Sequence, residues 1–365
     1  MLDCLIIGGG MIGLSTAYEL AQLGVRVRVI NCQRSQRSSS WAAAGVLPPP
    51  ITRAKHDAME QLRQTSHQLY PEWCDSLHRE SGVDVEYNRC GGVYVARRPG
   101  ELAALRAALD QWQQDGVQLE QVDADWLNEH EPALSKVRSA YWLPNEAVVH
   151  PPRLLEALTI CLRQKGVTIE SQTKFKKWIL NGERVTGVET TDGAISAEQI
   201  CVATGPWSQE TVAGLGLDLP VEPRRGQMLM WQLEKPIIRG VVNEGPRYLL
   251  TRKDGCLLAG STVEEVGFDD SNTAAGITDL TKFAVGLLPA LLGSDPTKFW
   301  TGLRPFSRDG FPYLGRLPRW NNVTIATGHF RSGIHLAPAT AQIVSRLMTG
   351  QSIDVNLAPF SPTRT

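Results

Sequence analysis

The sequence predicts an α/β protein in which a Rossmann-like domain with a parallel sheet is joined to an α+β domain whose sheet is mainly antiparallel. Three observations carry that reading. Residues 4–31 run as apolar strand, glycine turn, alanine- and leucine-rich helix and second apolar strand, at dinucleotide-binding spacing. Beyond Pro152 the α/β pattern returns and ends in the apolar run Ile200-Cys201-Val202-Ala203-Thr204-Gly205. Strand-like runs at 84–96, 141–149, 227–234, 248–251 and 256–261 read as a second layer, the last three of them as antiparallel strands.

In the first unit the strand 5–7 turns sharply at Gly8. Gly10 has no Cβ and admits a pyrophosphate against the backbone, and Gly13 lets the helix 11–23 pack closely on the sheet. That helix points its N-terminal amides at the phosphates. The second strand, 25–30, ends at Asn31, where an acidic residue normally accepts the ribose hydroxyls. Asparagine can hydrogen-bond a ribose but brings no negative charge. With Arg34 and Arg37 following, the segment taken alone suits either the 2′-phosphate of NADP or a plain polar strand end with solvated arginines.

A small-residue loop at 38–45 returns to the cofactor, a Pro48-Pro49-Pro50 break follows, and a long helix is expected over 58–80. The run 84–96 reads as strands turning at Gly91-Gly92, 101–114 as a helix, 141–149 as a strand and 152–165 as a helix. A strand at 167–170 and hairpin strands around Gly187 and Gly193 lead to the buried strand ending at Gly205, which places backbone at the sheet edge where ligands bind. The last helix of this stretch is expected over 277–292. The chain thus leaves its nucleotide domain and re-enters it.

At 365 residues, with 42% apolar residues and 33 glycines, the chain can bury the core of two intimately joined domains. A formal net charge of −1 without a long basic run argues against nucleic acid or an anionic membrane as partner. The seven cysteines are scattered and never spaced Cys-x-x-Cys, which argues against a disulfide framework or zinc site and for a reducing cytoplasm. The apolar N-terminus lacks a basic n-region, and no stretch approaches the ~20 apolar residues of a membrane span. The seven histidines show no metal spacing, so no metal is expected.

Further segments move the reading from any dinucleotide to a flavin: Ser-Trp-Ala-Ala-Ala-Gly at 40–45, Ala-Thr-Gly-Pro-Trp-Ser at 203–208, Gly-Leu-Arg-Pro-Phe-Ser-Arg-Asp-Gly-Phe-Pro-Tyr-Leu-Gly at 302–315 and Gly-His-Phe-Arg-Ser-Gly-Ile-His-Leu-Ala-Pro-Ala-Thr at 328–340. In this order they resemble the D-amino acid oxidase family of FAD enzymes, most closely its glycine oxidase branch, over nearly the whole chain. The division then expected is an FAD-binding domain of residues 1–83, 147–219 and 301–365 and a substrate domain of residues 84–146 and 220–300.

The resemblance places Gly8, Gly10, Met11, Ile12 and Gly13 at the pyrophosphate turn, Asn31 and Cys32 near the adenosine ribose, and Ser39, Ser40, Ala44, Gly45 and Val46 along the flavin. It places Phe175 at the adenine and Gly205 beside the cofactor. His329, Phe330, Arg331, Ser332, Gly333, Ile334 and His335 would form a second glycine turn facing the flavin pyrimidine ring. Relatives that tether FAD covalently use a cysteine near 304–312. None stands there in this chain, so FAD is expected to be non-covalent.

Arg304 matches the family's substrate-carboxylate arginine and Tyr248 a tyrosine that donates to the same carboxylate. Arg331 contacts substrate or flavin, or braces its loop. Val263 stands where the branch carries methionine, either enlarging the pocket or as a neutral swap. The implied reaction is FAD-dependent oxidative deamination of glycine or another small primary or secondary amino acid, with O2 reduced to H2O2 and an imine available to thiamine biosynthesis. Rival readings are a D-amino acid or sarcosine dehydrogenase feeding a quinone or partner protein, an NADP-dependent reductase, and a non-catalytic flavoprotein subunit. Members of the branch form homotetramers.

Overall fold

The computed structural model describes residues 2–32, 38–53 and 57–364. The glycine-turn unit forms as expected: β1 (Leu2–Ile7), α1 (Met11–Gln22) and β2 (Val27–Ile30), with Ile7 opposite Ile30 in a parallel pair. After α2 (Ser39–Ala42) and β3 (Val46–Leu47), the long helix α3 (Ala58–Ser81) starts on Asp57, whose carboxylate accepts from the Met59 amide at 2.8 Å, and stops at Gly82 in the left-handed region.

The chain then builds part of a second sheet with β4 (Gly92–Ala96), α4 (Pro99–Gln114), β5 (Glu120–Val122), α5 (Ala124–His130) and β6 (Ser139–Leu143). It returns through β7 (Ala147–Val148), α6 (Pro151–Gln164), β8 (Thr168–Glu170), β9 (Phe175–Asn181), β10 (Arg184–Thr190), β11 (Gly193–Val202) and α7 (Ser208–Ala213). A second excursion supplies β12 (Val221–Gln232), β13 (Val241–Glu244), β14 (Arg247–Thr251), β15 (Cys256–Gly260), α8 (Ala274–Leu287) and β16 (Lys298–Ser307). The chain closes on β17 (Tyr313–Arg316), β18 (Val323–Thr327) and α9 (Ala337–Thr349).

The first sheet runs β17-β18-β11-β1-β2-β8, parallel except at β17, with β10 and β9 extending from β11. Strand order reverses between β1 and β11, which makes a switch point at their carboxyl ends. Helices α1, α3, α6 and α9 cover one face through a core that includes Leu20, Leu62, Leu158 and Val344. The second sheet runs β16-β12-β15-β14-β13-β4-β6-β5, antiparallel except where β13 meets β4, and packs on α8 through Leu280, Phe283 and Leu287. Strand β16 crosses residue 301, where the sequence reading set a domain boundary.

Several expected elements change. Of 84–96 only Gly92–Ala96 is a strand. The run 141–149 is not one strand: it breaks after Leu143, and Ala147–Val148 pairs instead with Val46–Leu47, beyond the turn at Pro144. The helix expected over 277–292 stops at Leu287, two residues before Pro289. Strand β16 and the first half of β12 were not read from the sequence. Among the described residues no helix is long and apolar enough to cross a membrane.

Candidate active site

A cleft of about 1510 Å³ opens at the switch point and is lined from both sheets, by Asn31 and Phe175 of the first and Tyr248 and Arg304 of the second. It holds the family-matched residues at 39, 40, 44–46, 205 and 329–335 as well as the first glycine turn. Such a volume exceeds what a drug-sized ligand needs and suits a dinucleotide together with a small substrate.

The three glycines of the first turn are required by different neighbours. A Cβ on Gly8, whose φ is +119°, would lie 2.3 Å from the Ala203 carbonyl oxygen, so strand β11 excludes it. A Cβ on Gly13 would lie 1.9 Å from the Gly8 oxygen, so Gly13 seats the helix and does not line the cleft. At Gly10 the protein raises little objection: a Cβ would meet only Ser40 Oγ, at 3.2 Å. The open space above Gly10 faces the cleft at the positive end of α1, a cradle that a pyrophosphate fits.

The loop at 38–46 is clamped from several sides. The Met11 amide donates to Ser40 Oγ at 2.9 Å, and Ser39 Oγ donates to the Leu303 carbonyl of β16. Gly45 has φ +78°, and a Cβ there would sit 2.1 Å from the Val149 oxygen. Val46 faces Val148 across the β3–β7 pair. Arg252, missed in the sequence, is 4% exposed and donates through Nη2 to the Ala44 carbonyl; burial holds its pKa down at about 10. No local spacing signals that role, because residues 44 and 252 meet only through the fold.

Asn31 and Cys32 both line the cleft beyond β2, and the Asn31 amide donates to the Glu170 carbonyl at 2.8 Å. Arg34 and Arg37 lie outside the described residues. Phe175 opens β9 and lines the cleft, its ring 5.0 Å from that of Trp178. Gly205, at φ +58°, follows β11; its carbonyl accepts from Ser208 Oγ at 2.7 Å and from Thr327 Oγ1 at 3.0 Å.

The second turn is pinned by β16 and α3. The Phe330 amide donates to the Pro305 carbonyl at 2.8 Å with φ at +48°, and Ser66 Oγ donates to the His335 carbonyl at 2.6 Å. His329 Nε2 sits 3.2 Å from Thr340 Oγ1, whereas His335 Nε2 has no hydrogen-bond partner among the described residues. Burial pushes both imidazoles down to about 3, so neither is an imidazolium cation at neutral pH. They pack the turn rather than relay protons. Ser332, Gly333 and Ile334 line the cleft just ahead of α9.

Arg304 reaches the cleft from β16. Its Nη1 donates to the Thr262 carbonyl at 3.1 Å and its Nη2 to Ser261 Oγ at 2.8 Å, and no carboxylate lies within salt-bridge distance among the described residues. Burial lowers its pKa, which expresses the cost of an inward cation without a counter-charge. Tyr248, on β14, has its hydroxyl 3.4 Å from Met228 Sδ; burial raises its pKa, so it remains a hydrogen-bond donor. Arg331 lines the cleft but is exposed, and it braces its loop by donating to the Pro246 carbonyl at 3.0 Å.

Val263 departs from expectation. Its side chain is 46% exposed and does not line the cleft, because the chain past β15 turns Ser261 and Thr262 inward and Val263 out. A pocket enlarged at this position is therefore not what the substitution produces. The neighbouring residues carry the site instead: Glu264 accepts from buried Arg225 and from Gln227, and Thr262 Oγ1 accepts from the Gln227 amide at 2.9 Å. Gly226 leaves room for the Arg304 guanidinium.

Comparison with known proteins matches this architecture. The family model described as DAO, FAD dependent oxidoreductase, matches residues 3–347. A glycine oxidase of Pseudomonas aeruginosa is 34% identical over 360 residues, covering 98% of this chain and 97% of that enzyme. The crystal structure of glycine oxidase from Geobacillus kaustophilus superposes with a TM-score of 0.93 at 28% identity, covering 100% of this chain and 99% of the other. That of iminodiacetate oxidase from Chelativorans sp. BNC1 gives 0.89 at 27% identity, with 99% of each chain covered. With its glycine cradle at the switch point and its motifs in matching order, this chain belongs to the DAO family of FAD-dependent oxidoreductases and is an amine-oxidising flavoenzyme.

Proposed function

We propose that the chain oxidises glycine or another small primary or secondary amino acid, passing the electrons to O2. The observation that carries this reading is Arg304: a half-buried, inward cation with no carboxylate partner among the described residues, on a cleft wall shared with the donor Tyr248. A carboxylate is the complement such a group lacks, and a planar guanidinium fixes its orientation through two parallel hydrogen bonds.

Bound FAD supplies the two-electron acceptor. The residues that hold it in this reading are Gly10, Met11 and Ile12 at the pyrophosphate, Asn31 and Cys32 at the ribose, Phe175 at the adenine, and 39–40, 44–46, 205 and 329–335 along the flavin. Asn31 then serves as a neutral ribose partner, and no 2′-phosphate need be accommodated. Attachment is non-covalent, since 304–312 holds no cysteine.

Arg304 and Tyr248 anchor the carboxylate and so aim the Cα–H bond. The neutral His329 and His335 leave the amine's own lone pair to drive loss of hydride, so positioning does most of the work. The amino acid loses two electrons and two protons to become an imine, O2 takes them as H2O2, and water hydrolyses the imine. The same proposal assigns 1–83, 147–219 and 301–365 to holding the cofactor and 84–146 and 220–300 to the substrate side. Seven free cysteines are in keeping with the cytoplasm.

The test is an anaerobic spectral titration of the FAD-loaded protein with glycine, sarcosine and D-alanine. Bleaching of the flavin band followed by peroxide on readmitting air supports the proposal. Bleaching with slow oxygen uptake and rapid dye reduction would replace the oxidase by a dehydrogenase.

A further inference from the structure

Behind the cleft wall lies a carboxylate for which the proposed reaction has no use. Glu146 is fully buried, at 0% exposure, and no cation lies within salt-bridge distance of it among the described residues. Its two oxygens are held by neutral donors: Tyr94 Oη donates to Oε2 at 2.7 Å and Asn243 Nδ2 to Oε1 at 3.0 Å. Burial pushes its pKa up to about 7, and the two donors pull against that shift. The backbone is shaped around the carboxylate, since a Cβ on Gly92 would lie 2.6 Å from Oε2.

The two donors face the substrate. Tyr94, Asn243 and Tyr248 are successive register partners on β4, β13 and β14, so they stand on one face of the sheet in one row. All three line the cleft. With strands about 4.8 Å apart, Asn243 stands one strand and Tyr94 two strands, roughly 10 Å, from the tyrosine at the carboxylate anchor. Apolar walls flank that stretch, with Trp112 set edge-on to Tyr94 at 5.3 Å between ring centres and with Val117 beside it.

Hydrogen-bond capacity then sets the polarity of the row. A phenol has one proton, and Tyr94 gives it to Glu146. An amide that gives its NH2 to a carboxylate turns its oxygen away, and among the described residues no donor is recorded on Asn243 Oδ1. What Tyr94 has left to offer the cleft is its oxygen lone pairs, and Asn243 keeps its Oδ1 lone pairs and one N–H, so acceptors outnumber donors along the row, which a carboxylate backs.

We infer that Tyr94 and Asn243, oriented by Glu146, form a substrate subsite that selects amino acids whose substituent on nitrogen or Cα ends in a hydrogen-bond donor. Uncharged alkyl ends leave the two acceptors unpaired, and anionic ends meet lone pairs and a buried carboxylate. The inference rests on the carboxylate anchor proposed above, which sets where the substituent begins. Glu146 is a positioning residue here, acting through its two partners.

Two isosteric pairs test it: N-(2-hydroxyethyl)glycine against N-propylglycine, and D-homoserine against D-norvaline. In the wild-type holoenzyme, kcat/KM for the hydroxyl member is expected to exceed that for its methyl isostere about tenfold or more in at least one pair. The ratio is expected to fall below about threefold in Asn243→Leu and in Glu146→Gln, where the new amide must donate to one partner and turns its acceptor around. Each ratio is internal to one protein, so a general loss of activity cancels. If Glu146→Gln fails to fold, Tyr94→Phe is read in its place. A wild-type ratio near one in both pairs, or a ratio that survives all the variants, overturns the subsite. Glycine bleaching the flavin alongside such a result would leave the parent reading intact, whereas failure of glycine and all four analogues to bleach it would remove the parent reading itself.

Discussion

Gly226 lies against the guanidinium of Arg304: a Cβ at residue 226 would stand 2.1 Å from both Nη1 and Nη2. The two residues sit on β12 and β16, paired so that Gly226 is opposite Gly302 and Arg224 opposite Arg304. The glycine therefore clears the volume in which the arginine can be held by Ser261 and Thr262. Gly226→Ala is expected to displace the guanidinium and raise KM for the amino acid tenfold or more, about 1.4 kcal/mol of anchoring by the usual conversion. Flavin content of the purified protein should stay at the wild-type level, whereas Arg304→Ala should raise KM further. An unchanged KM in Arg304→Ala would remove the anchor from the site.

The first glycine turn offers a contrast between two substitutions. Gly10→Ala meets only Ser40 Oγ, so the apoprotein should melt within a few degrees of wild type while FAD retention collapses. Gly13→Ala places its methyl 1.9 Å from the Gly8 oxygen and should lower both FAD retention and the apoprotein Tm, despite the gain of about 1 kcal/mol in helix propensity. Visible absorbance and differential scanning calorimetry separate the two.

Glu264→Gln should weaken the anchor at a distance. Among the described residues Arg225, 3% exposed, would keep only Asp269 as an ionic partner, and Thr262, whose carbonyl accepts from Arg304, would lose its carboxylate brace. The expected cost is about 2 kcal/mol of stability, less than for a fully buried pair because Glu264 is partly exposed, together with a higher KM. A wild-type KM alongside the loss of stability would show that the network supports only the fold.

Acid should destabilise the protein through its buried imidazoles. His329 and His335 have folded pKa values held down to about 3, below the unfolded value, so their contribution is complete above about pH 6.5. It is lost as pH falls from there toward 3, because only the unfolded chain takes up the protons. By linkage each costs roughly 2 kcal/mol at pH 5. Urea midpoints measured from pH 7 to pH 5 should fall accordingly, and His335→Gln should flatten the slope.

Asn31, the ribose partner in the proposed reading, lines the cleft with its side chain packed on Gly9, where a Cβ would lie 2.8 Å from Asn31 Cβ. Asn31→Glu should leave FAD affinity unchanged or tighten it in a fluorescence titration. A clear weakening would show that negative charge is unwelcome at that end of the cleft.

The glycine turn was legible in the sequence because the β1–β2 pairing and the turn onto α1 lie within some thirty residues, although β1 also pairs with β11 and β2 with β8. Its motif also named Gly8 and Gly13 correctly as tight positions, although the atoms that exclude a Cβ, the Ala203 and Gly8 oxygens, appear only in three dimensions. Strand β16 was not read from the sequence, in which Gly302 and Pro305 interrupt any strand-like alternation. The fold tolerates Pro305 at the sheet edge, opposite Pro223, beyond the stretch of β12 that β15 pairs. The residues that brace Arg304 were missed for a related reason. Gly226, Arg225 and Glu264 acquire meaning from register and from contacts tens of residues apart. Of the two readings of Val263 only the pocket-enlarging one fails, because sequence position carries no information on which way an irregular segment turns its side chains.

The clamp between α2 and β16 gives the site a thermodynamic property. Ser39 donates to the carbonyl of Leu303, the residue before Arg304, and Trp300 Nε1 donates to the Ala42 carbonyl at 3.1 Å, so one end of the loop at 38–46 is fastened to the strand that carries Arg304. Whatever orders that loop also orders the arginine. In the proposed reading, cofactor and carboxylate binding are therefore coupled by a shared free energy: a carboxylate inhibitor that binds the holoprotein more tightly than the apoprotein must tighten FAD binding by the same factor.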